Sequence, residues 1–583
     1  MGNEVWEKKD TFRERYTIER IKDAVSALPW GFNLLPANYR HFVFINALLS
    51  VIPSLIGLYS TYLNKELVNS AIYHNMDLFR RMVVIYVGIT VFNLTFGYFY
   101  NRISTIMRNT MSSYARKEFY KTIFKKEYGY MEKIRIGELL NRLQNDLPSI
   151  IGTTFSFPRT IVSLFISLVG SAYIIINTAP EIALLAFPMI IIVGITSRLI
   201  SKEMSEKSKI VWEKGTVVSS LFVEHLSNML IFHTFGREDV AYEQVSKAID
   251  DLKETELDIN RINSKFGYIN NFMMSVISSG ATIYFLTKVT KATLSFGDYT
   301  MLTTLIARLQ GEVSNISSII PTLYNLMISS KRCIEIEQAP NDLTRERKSE
   351  KEAIRFYDED FKSILMKDVS FKYPQENRGL VLDHFNLEIN KHEFVAITGI
   401  SGCGKSTMQR LMLGLYRPTE GELYLKKNND ELEPLDSAWR TLFSYVPQRN
   451  FLFYGTIREA IAFGNNDNLD NDDGFWNALK IACGEDFVRN LPDGLDSQIG
   501  EQGTGLSEGQ VQRLAIARAI YTDRPILLLD ECTSSLDEQT ERKLLENLKA
   551  MTDKTVIIVT HRPAALQFCD REIKMVPVEN KYV

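Results

Sequence analysis

The first half of the chain carries repeated apolar runs of about the 20 residues that a helix needs to cross a bilayer. Because unpaired backbone groups are costly in hydrocarbon, such runs can cross a membrane only as helices. The runs that we expect to span are approximately 41–62, 82–103, 154–176, 182–200, 267–287 and 299–325. The last run is longer and more polar than the others. Beyond about residue 363 the pattern is typical of a soluble α/β protein.

The charges along the chain indicate how these helices are oriented. The connections 104–153 and 201–266 are long and rich in Lys and Arg, whereas the connection 177–181 has neither. By the positive-inside rule, the long connections and both termini lie in the cytoplasm. Both connections keep helical periodicity, so we expect spanning helices that continue into the cytosol as hairpins. The sequence thus predicts a multi-pass protein of the cytoplasmic (inner or plasma) membrane.

This pattern divides the chain into segments. We expect residues 1–37 to form a charged cytoplasmic segment, in which residues 18–28 make a short amphipathic helix on the membrane surface. Residues 38–330 are predicted to hold six membrane helices, and the polar residues 331–362 to form a linker. Residues 363–583 are predicted to form the cytosolic α/β domain. We expect no cleavable signal peptide.

Charge and cysteine content exclude some classes of function. The net charge is −3, so the chain has no overall basic field that would indicate a nucleic-acid partner. The cysteines all lie in the second half, and their irregular spacing is typical neither of a disulfide framework nor of a zinc site. They are Cys333, Cys403, Cys483, Cys532 and Cys569. We therefore expect a reducing, cytosolic location for that half.

Residues 399–407 match the phosphate-binding pattern G-x-x-x-x-G-K-[ST]. An apolar strand is predicted at 393–398 and a helix at 408–415, which is the context that this loop requires. Backbone N–H groups of such a loop surround a phosphate, and the helix N-terminus adds a favourable dipole. Lys405 can reach the β- and γ-phosphates, and Ser406 can hold Mg²⁺. The candidate ATP ligands in this loop are Gly399, Ser401, Gly402, Cys403, Gly404, Lys405, Ser406 and Thr407.

Further polar residues stand at the ends of apolar strands. Asp530, after the run 526–529, can bind the Mg²⁺ hydration shell, and the adjacent Glu531 can act as general base on a water. Gln448 and His561 also follow strands, and either could contact the water, the metal or the γ-phosphate. A lone histidine at a strand end is more often structural. The prediction that these residues and Lys405 are catalytic therefore rests on the joint order of the motifs.

The motif order resembles that of the ATP-binding-cassette (ABC) transporters. Residues 506–510, Leu-Ser-Glu-Gly-Gln, are similar to the family signature, with Glu508 in place of the commoner Gly. The resemblance implies ATP and Mg²⁺, with Ser507, Gly509 and Gln510 binding ATP and with Ser406, Gln448 and Asp530 near the metal. It also implies that Tyr373 stacks on the adenine. The alternative is that Tyr373 is an aromatic residue of the core.

The first half resembles the membrane domain of exporter-type ABC transporters. Residues 137–146, 235–238 and 295–298 are similar to segments of the family's two cytoplasmic hairpins and of its sixth helix. The resemblance implies an all-α six-helix transmembrane domain with long cytoplasmic helical hairpins, joined to an α/β P-loop ATPase domain. Two departures are Ala460, where Asn is usual, and a short tail after His561.

One membrane domain and one ATPase domain make a half-transporter. In the family, the signature segment completes the ATP site of a second subunit, which implies a dimer with ATP sandwiched between subunits. A homodimer is the simplest interpretation, and pairing with a different half-transporter stays open. The implied function is ATP-driven export of an amphipathic or hydrophobic substrate, with a peptide favoured. The alternatives are a multidrug or lipid exporter or flippase, and a siderophore importer of exporter-like fold.

Polar residues in the sixth predicted span are candidates for the substrate path. Arg308 and Glu312 are four residues apart and share a helical face with Asn315. A charge near the bilayer centre is costly, so these side chains should point into the helix bundle. One hypothesis is that at least one of them contacts the transported substrate. The alternative is that they pair with each other, or with another residue, and hold helices together.

Overall fold

The structure is a computed structural model that describes most of the chain. The described residues are 27–181, 207, 210–343, 346–373, 379–448, 452–464, 469–500 and 505–578. They divide into two compact units. The membrane unit comprises the described residues up to Phe124 together with Ile134–Gln338, and the nucleotide unit comprises Lys125–Lys133 and the described residues from Ala339 onwards.

The membrane unit is built from long helices. Their bounds are Arg40–Leu49, Val51–Ile72, Met76–Ile123, Ile136–Asn141, Leu147–Thr178, Ile210–Ser227, Met229–Phe235, Glu238–Thr290 and Phe296–Gln338. The helix Met76–Ile123 has 48 residues, and its first turn is capped by the side chain of Asn75, which accepts from the N–H of Leu78. At 1.5 Å per residue it is about 70 Å long, more than twice the thickness of a bilayer's hydrocarbon core. Such a helix must continue well beyond the membrane.

The helices agree with the predicted spans in part. Among the described residues, four helical stretches are long and apolar enough to cross a membrane, namely Ala37–Ile72, Met76–Ile123, Ile136–Thr178 and Glu238–Thr290. The bent pair Ile210–Ser227 and Met229–Phe235, which the sequence assigns to a hairpin, also passes that test when the two helices are joined. The predicted span 182–200 and most of the surface helix 18–28 lie outside the described residues. The predicted span 299–325 lies in the helix Phe296–Gln338, which is too polar to pass.

The start of this last helix is fixed by polar contacts with the helix Val51–Ile72. Lys65 Nζ lies 2.9 Å from Asp298 Oδ1, and Asn69 Oδ1 accepts from the N–H of Gly297 at 2.9 Å. A Cβ at Gly297 would come within 2.4 Å of the Lys65 carbonyl oxygen, so only glycine permits this approach. Ser295 donates through its hydroxyl to Asp298 at 2.7 Å and closes the turn. The segment 295–298 therefore ties two helices together.

The nucleotide unit contains a parallel sheet and an antiparallel one. The strands are β1 (Phe361–Phe371), β2 (Leu382–Asn390), β3 (Phe394–Thr398), β4 (Glu420–Lys427), β5 (Leu432–Pro434), β6 (Phe443–Val446), β7 (Gly455–Thr456), β8 (Gln498–Ile499), β9 (Ile526–Asp530), β10 (Thr555–Val559) and β11 (Arg571–Lys574). The parallel sheet has the order β11-β3-β10-β9-β6, and the antiparallel sheet has the order β2-β1-β4-β5. Strands β9 and β10 are buried at every residue, as a parallel sheet covered on both faces requires.

Helices cover the sheets and connect the strands. Their bounds are Glu350–Glu359, Lys405–Met412, Ile457–Ala462, Asp472–Ile481, Glu485–Arg489, Glu508–Tyr521, Glu538–Lys549 and Pro563–Leu566. The first lies in the predicted linker and begins with a capping box formed by Ser349 and Glu352. Its Tyr357 is buried and shares a hydrogen bond with Thr555 of β10 at 2.8 Å. The second half of the predicted linker thus packs as part of the nucleotide unit.

One segment of the first predicted hairpin, Lys125–Lys133, also packs in the nucleotide unit, and we call it the docking segment. It contains the short helix Tyr128–Met131. The buried ammonium group of Lys126 donates to the Ala339 carbonyl at 2.8 Å and to Asn341 Oδ1 at 2.9 Å. Arg417 lies 2.7 Å from Glu127. Charged hydrogen bonds therefore fix both the start of the docking segment and the chain that leaves the last membrane helix.

Candidate functional site: a triphosphate loop at the carboxyl ends of parallel strands

The loop 399–404 joins the carboxyl end of β3 to the helix Lys405–Met412. Gly404 is the N-cap of that helix with φ +97°, and Gly399 has φ +148°, conformations that side chains disfavour. A Cβ at Gly399 would lie 2.5 Å from the Met575 carbonyl oxygen. Lys405 is buried and donates to the carbonyls of Gly399 at 2.8 Å and Ile400 at 3.1 Å. The ammonium group thus lies inside the loop, where the phosphates of a nucleotide would supply its negative partner.

Ser406 and Asp530 lie together beside this loop. The hydroxyls of Ser406 and Tyr445 both lie near the Asp530 carboxyl. Burial raises the pKa of Asp530 above its ordinary value, although the nearby Ser406 hydroxyl and the positive charge of Arg410 act against that rise. A buried carboxyl of this kind favours a bound cation, because the cation would compensate its charge. Hydroxyl and carboxylate oxygens are the ligands that Mg²⁺ prefers, so these residues fit that metal.

The strand order brings Gln448, Glu531 and His561 together. They follow β6, β9 and β10, which are neighbours in the parallel sheet. Gln448 Nε2 donates to Glu531 Oε2 at 2.7 Å, and His561 Nε2 lies 3.2 Å from Glu531 Oε1. The N–H of Glu531 donates to the Val559 carbonyl of β10 at 3.0 Å, and its φ of +47° turns the chain at the end of β9. The carboxylate is therefore held from both sides at the sheet edge that also carries the loop.

Gln512 and Ser535, two residues that the sequence analysis missed, form hydrogen bonds next to Glu531. Gln512 is buried in the helix Glu508–Tyr521, and its amide nitrogen lies 3.4 Å from the Glu531 carbonyl oxygen. Its amide oxygen accepts from the Ser535 N–H at 3.3 Å. The sequence signal was a glutamine on the buried face of the helix that follows the signature. A buried amide must find partners, and here those partners connect the helix Glu508–Tyr521 to the end of β9.

Tyr373 lies at the end of β1, close to the helix Lys405–Met412. Its hydroxyl shares a hydrogen bond with Thr407 at 3.0 Å, and Arg410 donates to it at 3.4 Å. The ring is half-buried and meets Phe371 edge-on, with ring centroids 4.9 Å apart. The structure therefore brings Tyr373 beside the loop residues, with part of its ring packed on the core and part accessible.

The signature residues form the start of the helix Glu508–Tyr521. Ser507 is the N-cap, and a capping box links its hydroxyl to the Gln510 N–H and its own N–H to the Gln510 side chain at 2.8 Å. A Cβ at Gly509 would lie 3.0 Å from the Ser535 carbonyl oxygen, so the glycine allows close packing. The N-terminus of a helix favours anions through its free N–H groups and its dipole. These residues make a pre-ordered helix start that suits a phosphate group.

In the membrane unit, the candidate substrate-path residues are hydrogen-bonded to other protein groups. Arg308 does not pair with Glu312 but donates to the Ser167 hydroxyl at 2.8 Å and to the Ser54 carbonyl at 3.2 Å, on two other helices. A Cβ at Gly57 would lie 2.6 Å from the Arg308 guanidinium. Glu312 accepts from Asn315 at 3.1 Å. Arg308 thus points into the bundle and bridges three helices.

Comparison with known protein families identifies the family of this chain. The model of the ABC transporter transmembrane region matches residues 43–313, and the ABC transporter model matches residues 382–534. The chain belongs to the ABC transporters. It is an ATP-hydrolysing transporter with a helical, multi-pass membrane region fused to one nucleotide-binding region. The predicted family and fold class are confirmed.

Similar proteins include exporters. A putative export ATP-binding/permease protein of Rickettsia bellii (strain RML369-C) is 28% identical over 480 residues, covering 81% of this chain and 80% of that protein. The transport/processing ATP-binding protein ComA of Streptococcus pneumoniae (strain ATCC BAA-255 / R6) is 27% identical over 468 residues, covering 79% and 62%. A bacterial Atm1-family ABC exporter solved with ATP bound matches with a TM-score of 0.81 at 20% identity, covering 92% and 94%. That likeness shows an exporter fold.

Proposed function

We propose that this ABC transporter exports an amphipathic substrate, most simply a peptide, across the cytoplasmic membrane as a dimer with its nucleotide units in the cytosol. The observation that carries the proposal is the convergence of Gln448, Glu531 and His561 beside the loop that holds Lys405. A channel or regulatory subunit has no need of a complete hydrolysis site. An intact site argues for a pump that turns over ATP.

Each residue of the site has a defined role in this proposal. Glu531 takes the proton of the attacking water, while Gln448 and His561 hold its carboxylate in position. Lys405 and the N–H groups of the loop stabilise the charge that develops on the γ-phosphate. Ser406, Asp530 and Gln448 offer oxygen ligands to Mg²⁺, which would neutralise charge on the β- and γ-phosphates. Tyr373 stacks on the adenine.

The dimer follows from the signature. Ser507, Gly509 and Gln510 form an ordered helix start whose N–H groups suit a phosphate. In the proposed dimer, this helix start of one subunit closes over the ATP that the other subunit holds at Lys405. Both halves of the composite site stand in this one chain, so two identical copies suffice. Closure over ATP would turn the membrane helices outward, and hydrolysis would reset them.

The substrate class rests on the polar character of the last membrane helix. That helix carries charged and amide side chains and does not pass as an apolar span. Glu312 and Asn315, bonded to each other, present polar groups that suit peptide bonds or an amphipathic side chain. The similar ComA protein is named for transport and processing, which fits a cleavable polymer better than a lipid. The lipid or drug exporter and the siderophore importer are the alternatives.

The catalytic part is tested with Glu531→Gln in detergent or nanodiscs. We expect the variant to bind Mg-ATP but to hydrolyse it about 10²- to 10⁴-fold more slowly, because an amide cannot accept the water's proton. After incubation with Mg-ATP, the variant should retain ATP and run as a closed dimer. Recovery of ADP at the wild-type rate would refute the role of Glu531.

Direction and substrate are tested with inside-out vesicles. Fluorescent amphipathic peptides, a fluorescent lipid and an iron–siderophore complex are offered separately outside, with Mg-ATP. We expect ATP-dependent accumulation of peptide inside, which corresponds to export, and its loss in Glu531→Gln vesicles. Lipid movement without peptide uptake would favour the flippase alternative. Siderophore transport only in right-side-out vesicles loaded with ATP would favour the importer.

A further inference from the structure

Tyr416 is buried between the nucleotide site and the docking segment. Only 7% of its surface is exposed. On the nucleotide side its ring meets Tyr373 nearly at a right angle, with centroids 5.3 Å apart, and it also meets Phe371 with centroids 5.5 Å apart. Edge-to-face contacts at these separations are favourable and depend on ring orientation. A displacement of the Tyr373 ring must therefore alter its contact with the Tyr416 ring.

The other side of Tyr416 faces the docking segment. Its hydroxyl donates to the carboxylate of Glu132, and Tyr128 meets its ring at 89° with centroids 6.0 Å apart. A Cβ at Gly129 would lie 2.7 Å from two carbons of the Tyr416 ring, so the backbone packs directly on that ring. Burial, followed by the neighbouring Glu132 carboxylate, raises the pKa of Tyr416. The phenol consequently stays protonated and remains a donor.

Tyr373 in turn is tied to the helix that begins at Lys405. Thr407 and Arg410, both on that helix, contact the Tyr373 hydroxyl. A nucleotide base that stacks on Tyr373 would thus act on a ring held between the loop helix and Tyr416. The docking segment continues in the chain from the helix Met76–Ile123. The contacts form one unbroken path from the base site to the chain that enters the membrane unit.

We propose that Tyr416 is a positioning residue that transmits occupancy of the base site from Tyr373 to the docking segment through Glu132. The proposal rests on the proposed role of Tyr373 in binding adenine. Packed interiors pass on small displacements because they have little free volume. Coupling between two sites is reciprocal, so a change at Glu132 must also alter ATP affinity, although Glu132 makes no contact with the loop residues described above.

The first experiment is a mutant cycle on the full-length protein, with the apparent Kd for Mg-ATP measured in the Glu531→Gln background. Tyr373→Leu and Glu132→Ala are combined in the presence of Tyr416 and again with Tyr416→Leu. With Tyr416 present, we expect the two changes to be non-additive by at least about twofold in Kd. With Tyr416→Leu they should become additive. Additivity in the presence of Tyr416 would overturn the proposal, and so would equal coupling in both backgrounds.

Two further variants separate transmission from simple docking. Tyr416→Phe keeps the ring and its volume but removes the bond to Glu132, so it should reproduce the Kd change of Glu132→Ala and not add to it. Glu127→Ala breaks the ion pair with Arg417 and loosens the same docking segment without touching the Tyr416 ring. It should leave the Kd within the error of the measurement. An equal effect of Glu127→Ala would mean that docking alone governs the affinity.

Hydrogen exchange at the helix Tyr128–Met131 gives an independent readout. Saturating Mg-ATP should change amide protection there, whereas inorganic tripolyphosphate, which fills the phosphate loop without a base, should not. Tyr416→Phe should reduce the ATP response while ATP still binds. A response to tripolyphosphate as large as that to ATP would exclude transmission through Tyr373. If instead Tyr373→Leu left the Kd for ATP unchanged, the adenine role of Tyr373 would fail, which is a separate outcome.

Discussion

The two units use their polar residues in contrasting ways. In the nucleotide unit, Lys405, Asp530 and Glu531 are held at one sheet edge, where the proposed function has their charges act on a ligand. In the membrane unit, the guanidinium of Arg308 is used in the fold itself, because it donates to a hydroxyl and a carbonyl of two other helices. In the proposed function, a nucleotide completes the first arrangement. The second is already satisfied by protein groups.

This contrast indicates how sensitive the activity of each unit should be to single substitutions. Glu531 has φ +47°, a conformation that side chains disfavour and that is retained at many functional sites. Bridging residues such as Arg308 stabilise the arrangement of the helices. We infer that basal hydrolysis is sensitive to single atoms of the nucleotide unit but tolerates single substitutions in the membrane unit. The predictions below test that difference.

The largest effect is expected for Lys405→Ala. Removing the ammonium group takes away the positive charge at the γ-phosphate and frees the carbonyls of Gly399 and Ile400. ATP hydrolysis should fall by about 10²- to 10³-fold, the usual cost of one transition-state donor. The matched control is Lys480→Ala, which removes an equal charge from an exposed helix position. Phosphate release by Lys405→Ala at a near wild-type rate would show that the loop is not the catalytic one.

Asp530→Asn should also abolish most hydrolysis, by about 10²-fold, since charge stabilisation by a metal ion is worth several kcal/mol. In the absence of nucleotide and Mg²⁺, the same substitution should instead be favourable, because it should stabilise the folded protein at neutral pH. The folded-state pKa of Asp530 is raised by burial, so its contribution to stability is present at low pH and is lost as pH rises through that pKa.

Thermal unfolding of nucleotide-free protein at pH 5 and pH 7.5 measures this difference. We expect Asp530→Asn to gain stability over the wild type on going to the higher pH, because the variant has no buried charge to form. Asp473→Asn, an exposed carboxylate in the same unit, should show no such gain. A difference in Tm that is the same at both pH values would mean that Asp530 is already compensated in the folded protein.

The convergence of the candidate ATP-site residues was predictable because they stand at strand ends. Gln448, Asp530, Glu531 and His561 each stand at a strand end, and neighbouring parallel strands bring such ends to one edge. A family resemblance then supplies the roles. The family, the fold class and the ATPase activity inferred in this way are confirmed. The roles of single residues and the boundaries of the predicted segments stay predictions.

The contacts that the sequence did not predict join distant segments. Tyr416 and Glu132 are separated by 284 residues, and Arg308 and Ser167 by 141. Nothing in the local sequence pattern of either partner marks the other, since contacts between residues so far apart in the chain leave no local signal. The i,i+4 spacing of Arg308 and Glu312 allowed an ion pair, but the guanidinium instead donates to groups on two other helices. Tertiary contact overrode the local rule.

In the membrane unit, single changes should separate structure from transport. Arg308→Gln should lower the free energy of unfolding by about 1–2 kcal/mol, because bonds to helix partners in a bilayer are individually modest. Glu312→Gln should not lower it, because the Gln amide can still accept from Asn315. Basal ATP hydrolysis should survive in both variants and in the double variant, while stimulation by an added peptide substrate should be lost once Glu312 is changed. Full stimulation in the double variant would move the substrate path elsewhere.

The smallest effect in the nucleotide unit is expected for Tyr373→Ala. Base–aromatic stacking is worth about 1–3 kcal/mol, and the lower end applies because one face of the base would stack on a half-buried ring. The KM for ATP should therefore rise about fivefold, with kcat nearly unchanged, since the ring does not touch the γ-phosphate. Tyr373→Phe is the matched control. It loses only the bonds to Thr407 and Arg410 and should keep most of the affinity. If Tyr373→Ala leaves the KM as it is, the ring is only a core aromatic, and the nucleotide unit, like the membrane unit, contains polar contacts that serve the fold alone.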